Sequence, residues 1–357
     1  MSRVSPLHAI HERGGAVFEA AGQWSLPAHY GDEAAEYRAA RDRAAVIDLC
    51  DRTKIELSGA DRVTFLHNLC TNDVKGLSAG NGCEAFLTSA QAKILGHLYV
   101  FASPESLVVD TVAGQAEGLI AHLDHYHIRE SVTLKDRTSE WAELLVCGPL
   151  AAGLLEKLGA VVPDKALAHA ESTLQGPKCF VRRHDLAGEP SYAIVAARED
   201  AESIWNALVG GGAVPAGRRA FETLRVEAGV PFYGIDVTDA HLPQEVGRDQ
   251  QAISFTKGCY IGQETVARID SYGHVNRKLV GLKIVGEDVP DRGAKVVRDE
   301  KEVGQTTSAV FSPQLQSPIA LAYVRRGSEA VGTALQVESA DTRQKAEVVA
   351  LPFRLTT

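Results

Sequence analysis

The most informative stretch of this 357-residue chain is Lys257-Gly258-Cys259-Tyr260-Ile261-Gly262-Gln263-Glu264. The two glycines permit a tight backbone turn that other residues resist. The residues after Gly262 are typical of the first turns of a helix, so Cys259 is expected just before a helix N-terminus and beside Lys257. Both features favour the thiolate form of a cysteine. The run therefore predicts a reactive or ligand-forming thiol; the alternative is a buried cysteine that acts as a small apolar side chain.

Composition sets outer limits on the function. Hydrophobic residues make up 45% and charged residues 23% of the chain, as in ordinary soluble globular proteins, and the length predicts two or three domains. The formal net charge is -9, and no block of basic residues occurs, which argues against a broad nucleic-acid surface. No apolar stretch is long enough to span a membrane, and the first residues lack the apolar core of a signal peptide.

The cysteines and histidines do not predict a metal site. The cysteines form neither a Cys-x-x-Cys pair nor a disulfide framework, so we expect a reducing cytoplasm. His122, His125 and His127 match no ligand pattern and are expected to decorate a helix end. Gly210-Gly211-Gly212 lacks the lysine of a phosphate-binding loop and is expected to end a helix.

The chain contains a faint internal repeat. Ile55–Gly59 is a short alternating strand that ends in glycine and precedes a helical pattern, and Leu144–Gly148 repeats this order. Pro149 then opens a helix that Gly159 closes. Two related α+β units are the simplest account, although strand–glycine–helix is a common local pattern and chance is the alternative.

Most of the remaining chain predicts strands. Before residue 277 the predicted strands alternate with helices near 118–127 and 201–209; the strands are Glu84–Thr88, Ile94–Phe101, Leu107–Thr111, Ser131–Asp136, Lys178–His184 and Tyr192–Ala196. After residue 277 no helical period appears. Short strands separated by turns there predict a small antiparallel barrel, made of Lys278–Val285, Ala294–Arg298, Glu302–Phe311, Ile319–Arg325, Ala334–Ser339 and Lys345–Ala350.

The run 257–264 resembles, residue for residue, the Lys-Gly-Cys-Tyr/Phe-x-Gly-Gln-Glu pattern of the YgfZ family of folate-binding proteins. That family is a branch of the aminomethyltransferase superfamily, which includes the glycine-cleavage T-protein. The resemblance extends over nearly the whole chain, for example through Asn68–Val74 and Gly273–Gly281. It implies an α+β fold of three modules in a ring around a central folate cavity: residues 1–140, residues 141–272 with the cysteine run, and a β-barrel at 273–357.

The resemblance also implies folate contacts. Gly188-Glu189 is similar to the superfamily motif whose glutamate hydrogen-bonds the pterin ring, although Ser191 and Tyr192 depart from that motif. Arg225 occupies the position of an arginine that faces the folate cavity. Taken alone, Glu189 is typical of a solvated turn and Arg225 of a structural ion pair with Glu222 or Glu227.

One departure from the T-protein pattern bears on mechanism. In Ile94–Phe101, Gly96 and His97 replace two aspartates, and Phe101 replaces a tyrosine of the folate pocket. Arg52 also departs from the T-protein pattern, and this substitution again resembles the YgfZ branch. His97 can act as an acid or base near neutral pH but supplies no fixed negative charge. The resemblance therefore implies a pocket that binds folate, with Phe101 as a contact, and without classical aminomethyl chemistry.

The function implied first is tetrahydrofolate-dependent support of iron–sulfur protein assembly or repair, and through it tRNA modification, in the cytoplasm. Cys259 is the predicted reactive thiol, with Lys257 and Arg268 tuning it and His97 as a further catalytic candidate. The implied partners are a reduced folate and iron–sulfur client or assembly proteins. The alternatives are a folate-dependent aminomethyltransferase of the T-protein type and a plain folate-binding module in which Cys259 is structural.

Overall fold

The chain folds into two compact units, each built from two separate stretches of sequence. The computed structural model describes residues 3–188, 190–339 and 342–354. Unit 1 comprises Met1–Ala85 and Leu98–Phe221, and unit 2 comprises Phe86–His97 and Glu222–Thr357. The predicted module boundaries after residues 140 and 272 stay predictions.

The helices are short and lie between strands. Asp32 caps the second helix by accepting a hydrogen bond from the Ala35 N–H at 2.9 Å. Among the described residues, no helix combines the length and the apolar character needed to cross a membrane. The helices are α1 His8–Arg13, α2 Glu33–Asp42, α3 Arg62–Leu69, α4 Ala116–His125, α5 Ala151–Lys157, α6 Ala201–Gly210, α7 Arg218–Glu227, α8 Asp249–Ala252 and α9 Gln263–Tyr272.

A small sheet begins unit 1, and its strands were not predicted from the sequence pattern. It has the order β1-β3-β2, with β1 parallel and β2 antiparallel to β3. Its strands are β1 Arg3–Val4, β2 Val17–Ala21 and β3 Trp24–His29.

Two larger sheets follow, of five and six strands. The first has the order β6-β7-β8-β5-β9 and the second β11-β12-β13-β10-β4-β14. Residues 86–97, the far end of the β6–β7 hairpin, belong to unit 2. The strands are β4 Ala45–Asp48, β5 Thr53–Ser58, β6 Gly82–Thr88, β7 Ile94–Ala102, β8 Ser106–Thr111, β9 Thr133–Asp136, β10 Trp141–Cys147, β11 His169–Thr173, β12 Lys178–Arg183, β13 Ser191–Ala197 and β14 Val214–Ala216.

The strand–glycine–helix repeat is present in unit 1. β5 leads through Gly59 to α3, and β10 leads through Gly148 to α5. The two glycines share a positive φ, +103° and +110°. A Cβ would lie 2.1 Å from the Ser131 carbonyl oxygen at the first and 2.6 Å from the Arg43 carbonyl oxygen at the second. Glycine at each turn is therefore required by backbone conformation and by close approach of another chain segment.

Unit 2 contains the predicted barrel, which closes on itself in the order β15-β18-β17-β16-β19-β20 with antiparallel pairing throughout. The predicted strand ends agree with the observed ones to within two residues. The mixed α and β fold with a C-terminal antiparallel barrel is thus confirmed. The barrel strands are β15 Arg277–Ile284, β16 Lys295–Arg298, β17 Lys301–Ser312, β18 Ser317–Arg325, β19 Ala334–Glu338 and β20 Arg343–Val349.

Each unit has its own apolar core. In unit 1, α5 and α6 pack on the six-stranded sheet around Leu144, Leu155 and Ile194. In unit 2, the β6–β7 hairpin end contributes Phe86 and Ile94 to a cluster shared with the barrel. Burial of apolar surface of this kind supplies the main driving force for folding.

Candidate functional site

The run 257–264 forms an irregular loop of unit 2 that leads into α9. Gly262 has a φ of +84°, and a Cβ there would lie 2.7 Å from the Ser89 carbonyl oxygen. The Thr88 hydroxyl donates to the Ile261 carbonyl at 2.7 Å, which holds the loop against the β6–β7 turn. Gly258 has open space around it and no positive φ. Only the second glycine of the run is therefore required by geometry.

Cys259 lies in this loop, four residues before α9, and is the exposed member of the six cysteines, all of which the structure describes. Lys257 is buried by contrast, with its ammonium 4.9 Å from the centre of the Tyr260 ring. Arg268 is exposed on α9. The loop thus presents the thiol to solvent in front of a helix, as the sequence predicts. The reactivity of Cys259 and the tuning roles of Lys257 and Arg268 stay predictions.

His97 is buried in β7, where its ring centre lies 5.0 Å from that of Phe86. The strand Ile94–Ala102 contains no acidic residue. At the two positions where the sequence resemblance implies aspartates, this strand therefore carries Gly96 and His97. An acid–base role for His97 stays a prediction.

Arg225 is fully buried, and every N–H of its guanidinium has an acceptor. Nε and Nη2 donate to the Glu222 carboxylate, Nη1 donates to Asp236 and to the Val230 carbonyl, and Nη2 also donates to the Ser308 hydroxyl. The ion pair with Glu222, one of the sequence alternatives, is thus present. This arrangement fixes Arg225 within unit 2, and its contact with folate stays a prediction.

Glu189, the predicted pterin partner, lies outside the described residues. Next to it, Gly188 has a φ of +87° and accepts a hydrogen bond from the Ser191 hydroxyl. Asp185 accepts from the Ser191 N–H at 3.1 Å. The turn between β12 and β13 is thus tied together by these flanking bonds.

Phe101 lies in the wall of a cleft of about 1130 Å³ in unit 1. The Arg182 guanidinium stacks 4.3 Å from the centre of the Phe101 ring, and His169 meets that ring edge-on at 5.5 Å. Trp141 and Phe180 add aromatic surface to the cleft. The predicted residue Phe101 therefore belongs to a concave, partly aromatic site.

A buried cluster of charged side chains, which no sequence motif predicted, adjoins Phe101. Arg52 Nε donates to Asp110 at 2.7 Å, and the Lys54 ammonium lies 3.2 Å from Glu143. Arg182 Nη1 lies 3.6 Å from Asp110, which links the cluster to the cleft. The sequence feature that could have indicated this cluster is an acidic residue within an otherwise apolar strand. Asp110 is such a residue in β8, and Glu143 is another in β10.

Burial and the neighbouring charges set the protonation of this cluster. Burial alone would raise the pKa of Asp110, but Arg52 and other nearby cations hold it well below its usual range. Burial, with the Asp110 charge beside it, raises the pKa of Glu143 to about 7. Burial lowers the pKa of His184 to about 3, so its imidazole is neutral. Near neutral pH the cluster therefore carries more positive than negative charge.

The same cluster contains a possible metal-ligand set. Ligand atoms of Asp110, Glu143 and His184 lie within 4.8 Å of one another, all buried. Arg52 and Lys54 occupy the adjacent space and would repel a divalent cation. The electrostatics of this site favour a proton or an anion over a metal.

Comparison with known proteins places the chain in a family. Residues 7–257 match the GCVT N-terminal domain, and residues 277–354 match the glycine cleavage T-protein C-terminal barrel domain. The chain belongs to the glycine cleavage T-protein family. An aminomethyltransferase of Geobacillus kaustophilus is 31% identical over 365 residues, covering 99% of each chain. An aminomethyltransferase of Symbiobacterium thermophilum is 31% identical over 365 residues, covering 98% of this chain and 96% of the relative.

A solved structure of a T-protein shares the fold. The aminomethyltransferase T of the glycine cleavage system from Bartonella henselae superposes with a TM-score of 0.91 at 24% identity, over 99% of this chain and 98% of that one. The family matches over residues 7–257 and 277–354 and the relatives at 31% identity confirm the superfamily part of the sequence resemblance. Membership of the YgfZ branch stays a prediction.

Proposed function

We propose that this T-protein family member binds tetrahydrofolate and acts as a folate-dependent aminomethyltransferase. The observation that carries the proposal is similarity to proteins named aminomethyltransferase over nearly the full length of both chains. This similarity favours aminomethyl transfer over the support of iron–sulfur proteins that the sequence resemblance implied first. A cytoplasmic location, as expected from the sequence, belongs to the same proposal.

The chain offers groups that suit a reduced folate. A folate combines a flat ring system with carboxylates, and the cleft of unit 1 combines the Phe101 ring with the Arg182 guanidinium. Phe101 is the proposed folate contact in this cleft, and the folate contacts of Glu189 and of Arg225 in unit 2 stay separate predictions. Tetrahydrofolate, when bound, supplies the nitrogen atoms that accept a one-carbon unit; the protein's part is to bind it, orient it and exclude water.

A second candidate function is support of iron–sulfur proteins with folate bound. Two observations favour it: Cys259 is exposed in a loop that matches the YgfZ pattern, and β7 has no carboxylate. In this candidate the side chain of Cys259 is the reactive group, and an iron–sulfur client or assembly protein is the partner. Both candidates require a reduced folate, so folate binding alone does not separate them.

A reconstituted glycine-cleavage assay tests the first candidate. The expected result is turnover that depends on tetrahydrofolate and is unchanged in Cys259→Ser, because the exposed thiol has no part in aminomethyl transfer. Absence of turnover beside an active T-protein control would contradict aminomethyl transfer.

A complementation assay then tests the second candidate. In cells that lack the native protein, Cys259→Ser should fail to restore iron–sulfur enzyme activity, while the matched Cys83→Ser restores it. Equal rescue by both variants would reject a role for the thiol.

A further inference from the structure

We propose that Arg182 forms a carboxylate-binding site at the floor of the unit 1 cleft. Its side chain is 2% exposed, and its Nε and Nη1 atoms have no hydrogen-bond acceptor among the described residues. Its nearest carboxylate is Asp110, at 3.6 Å, which is beyond ordinary hydrogen-bond distance. Arg225, which is also fully buried, uses all of its donors.

Buried charged donors without acceptors are costly, because they have left water without replacing its hydrogen bonds. Native proteins satisfy nearly all such groups, with protein atoms, water or a ligand. Arg182 lines the cleft, and its unpaired nitrogens are buried behind the cleft surface, so binding requires the acceptor to displace the side chains that cover them. His169 lines the same cleft, and its buried Nδ1 also lacks a partner. Two buried polar groups without partners thus meet at one concave surface.

The chemistry of the site favours a carboxylate attached to an aromatic group. A guanidinium presents a flat fork of N–H groups that matches the two oxygens of a carboxylate. Its face lies against Phe101, so the N–H edge remains for a ligand. Burial lowers the pKa of His169 to about 4, which leaves a neutral ring nitrogen able to accept from a ligand N–H or O–H.

The charge around the cleft argues against a phosphate. The exposed residues Glu105 and Glu171 and the half-buried Asp200 line it, and Lys178 is the nearby exposed cation. A phosphate would bring two negative charges to Arg182 on one small group. A carboxylate brings one, even where the ligand carries a second carboxylate farther along a glutamate tail, and the excess positive charge of the buried cluster compensates it. The cleft therefore suits one carboxylate on an aromatic body.

Such a carboxylate has two possible sources. One is the aminobenzoyl-glutamate end of a folate, in which case the inference rests on the proposed function. The other is a separate small aromatic acid. Both ligands present a carboxylate to Arg182. Probes that contain or lack the glutamate tail distinguish the folate from a small aromatic acid.

The test measures binding by calorimetry to the full chain, with p-aminobenzoyl-glutamate, benzoate and inorganic phosphate as probes. The wild type should bind at least one of the two carboxylates and not phosphate, and Arg182→Gln should weaken carboxylate binding about tenfold or more. Arg183→Gln, on the same strand and engaged with Asp185 instead, is the matched control and should bind as the wild type does. No carboxylate binding by the wild type, or unchanged binding by Arg182→Gln, would overturn the proposal.

Two further arms identify the source. If tetrahydrofolate loses affinity in Arg182→Gln while tetrahydropterin, which has no glutamate, does not, the carboxylate is the folate's. If tetrahydrofolate binds both forms equally and benzoate binding is lost, the ligand is a separate acid. Failure of the wild type to bind tetrahydrofolate or tetrahydropterin would count against the proposed function and not against Arg182.

An NMR measurement on the wild type tests the proposal without relying on correct folding of the Arg182→Gln variant. In protein labelled with ¹⁵N-arginine, the carboxylate should shift the Nε resonance assigned to Arg182 and leave that of Arg225 in place. Saturating benzoate and p-aminobenzoyl-glutamate with no shift of the Arg182 resonance would contradict the assignment.

Discussion

Arg225 and Asp236 form a fully buried ion pair in unit 2, with 2.9 Å between Nη1 and Oδ2. Asp236 also accepts from the hydroxyls of Thr307 and Ser308 in β17, at 2.6 and 2.7 Å. The pair thereby ties α7 to a barrel strand. Arg225, which the family resemblance associates with folate, thus also links a helix to the barrel in unit 2.

Replacing Arg225 with methionine should destabilise the protein strongly. It leaves the Asp236 carboxylate buried without its charge partner, which costs about 3–5 kcal/mol in comparable cases. Denaturant unfolding measures the loss. Arg343→Met, which removes an exposed pair with Glu300, is the control and should leave the free energy of unfolding nearly unchanged. Equal stability of the two variants would mean that the buried pair does not anchor α7.

Gly262→Ala should destabilise the loop that carries Cys259, whereas Gly258→Ala should not. The first substitution forces alanine into a positive φ and against the Ser89 carbonyl, while the second meets open space. We expect a loss of about 1–3 kcal/mol for Gly262→Ala, from thermal or denaturant unfolding. If both alanine variants unfold alike, the close packing of this turn is not what requires glycine.

Cys259 should be the first cysteine to react with an alkylating reagent in the folded protein. It is exposed, whereas burial raises the pKa of Cys147 to about 12 and that of Cys179 to about 11. Mass spectrometry after brief labelling near neutral pH should find the label on Cys259. Labelling of Cys147 at the same rate would contradict this order and would favour a structural role for the Cys259 loop.

Glu143→Gln should change how stability depends on pH. The folded-state pKa of Glu143 is raised to about 7 from an ordinary value of 4.5, so folding is favoured by its proton. That contribution is fully present below the ordinary pKa and is lost as pH rises through the folded value. The wild type should therefore lose stability relative to Glu143→Gln between about pH 4.5 and pH 7. Parallel melting temperatures of the two proteins over this range would show that Glu143 is already ionised.

The opposite sign applies to Asp110, whose pKa is lowered in the folded protein. Its contribution is present above the ordinary pKa of an aspartate and is lost as pH falls through the folded value. Melting curves below about pH 4 therefore report on Asp110, and those near pH 7 report on Glu143.

The sequence predicted the parts of the fold that depend on local pattern. The barrel strands show no helical period and are separated by turn residues, so the sequence pattern predicted where they begin and end. The small N-terminal sheet was missed because β1 and β3 pair across a distance that no local pattern records.

The same difference between local sequence pattern and long-range strand pairing explains which parts of the candidate site were predictable from the sequence. Exposure of Cys259 followed from neighbouring residues in one loop, whereas the buried cluster joins side chains from separate strands. Lys54 and Asp110 are opposite each other only through the pairing of β5 with β8. Without that pairing, isolated charges within apolar strands gave no indication of a shared site.

Calorimetric titration of tetrahydrofolate into the protein tests the central claim most directly. The account predicts saturable binding by the wild type, and a loss of about 1–3 kcal/mol of binding free energy in Glu189→Gln, because pterin donors lose their carboxylate acceptor. Wild-type protein that is folded by circular dichroism and yet binds no tetrahydrofolate would contradict the account.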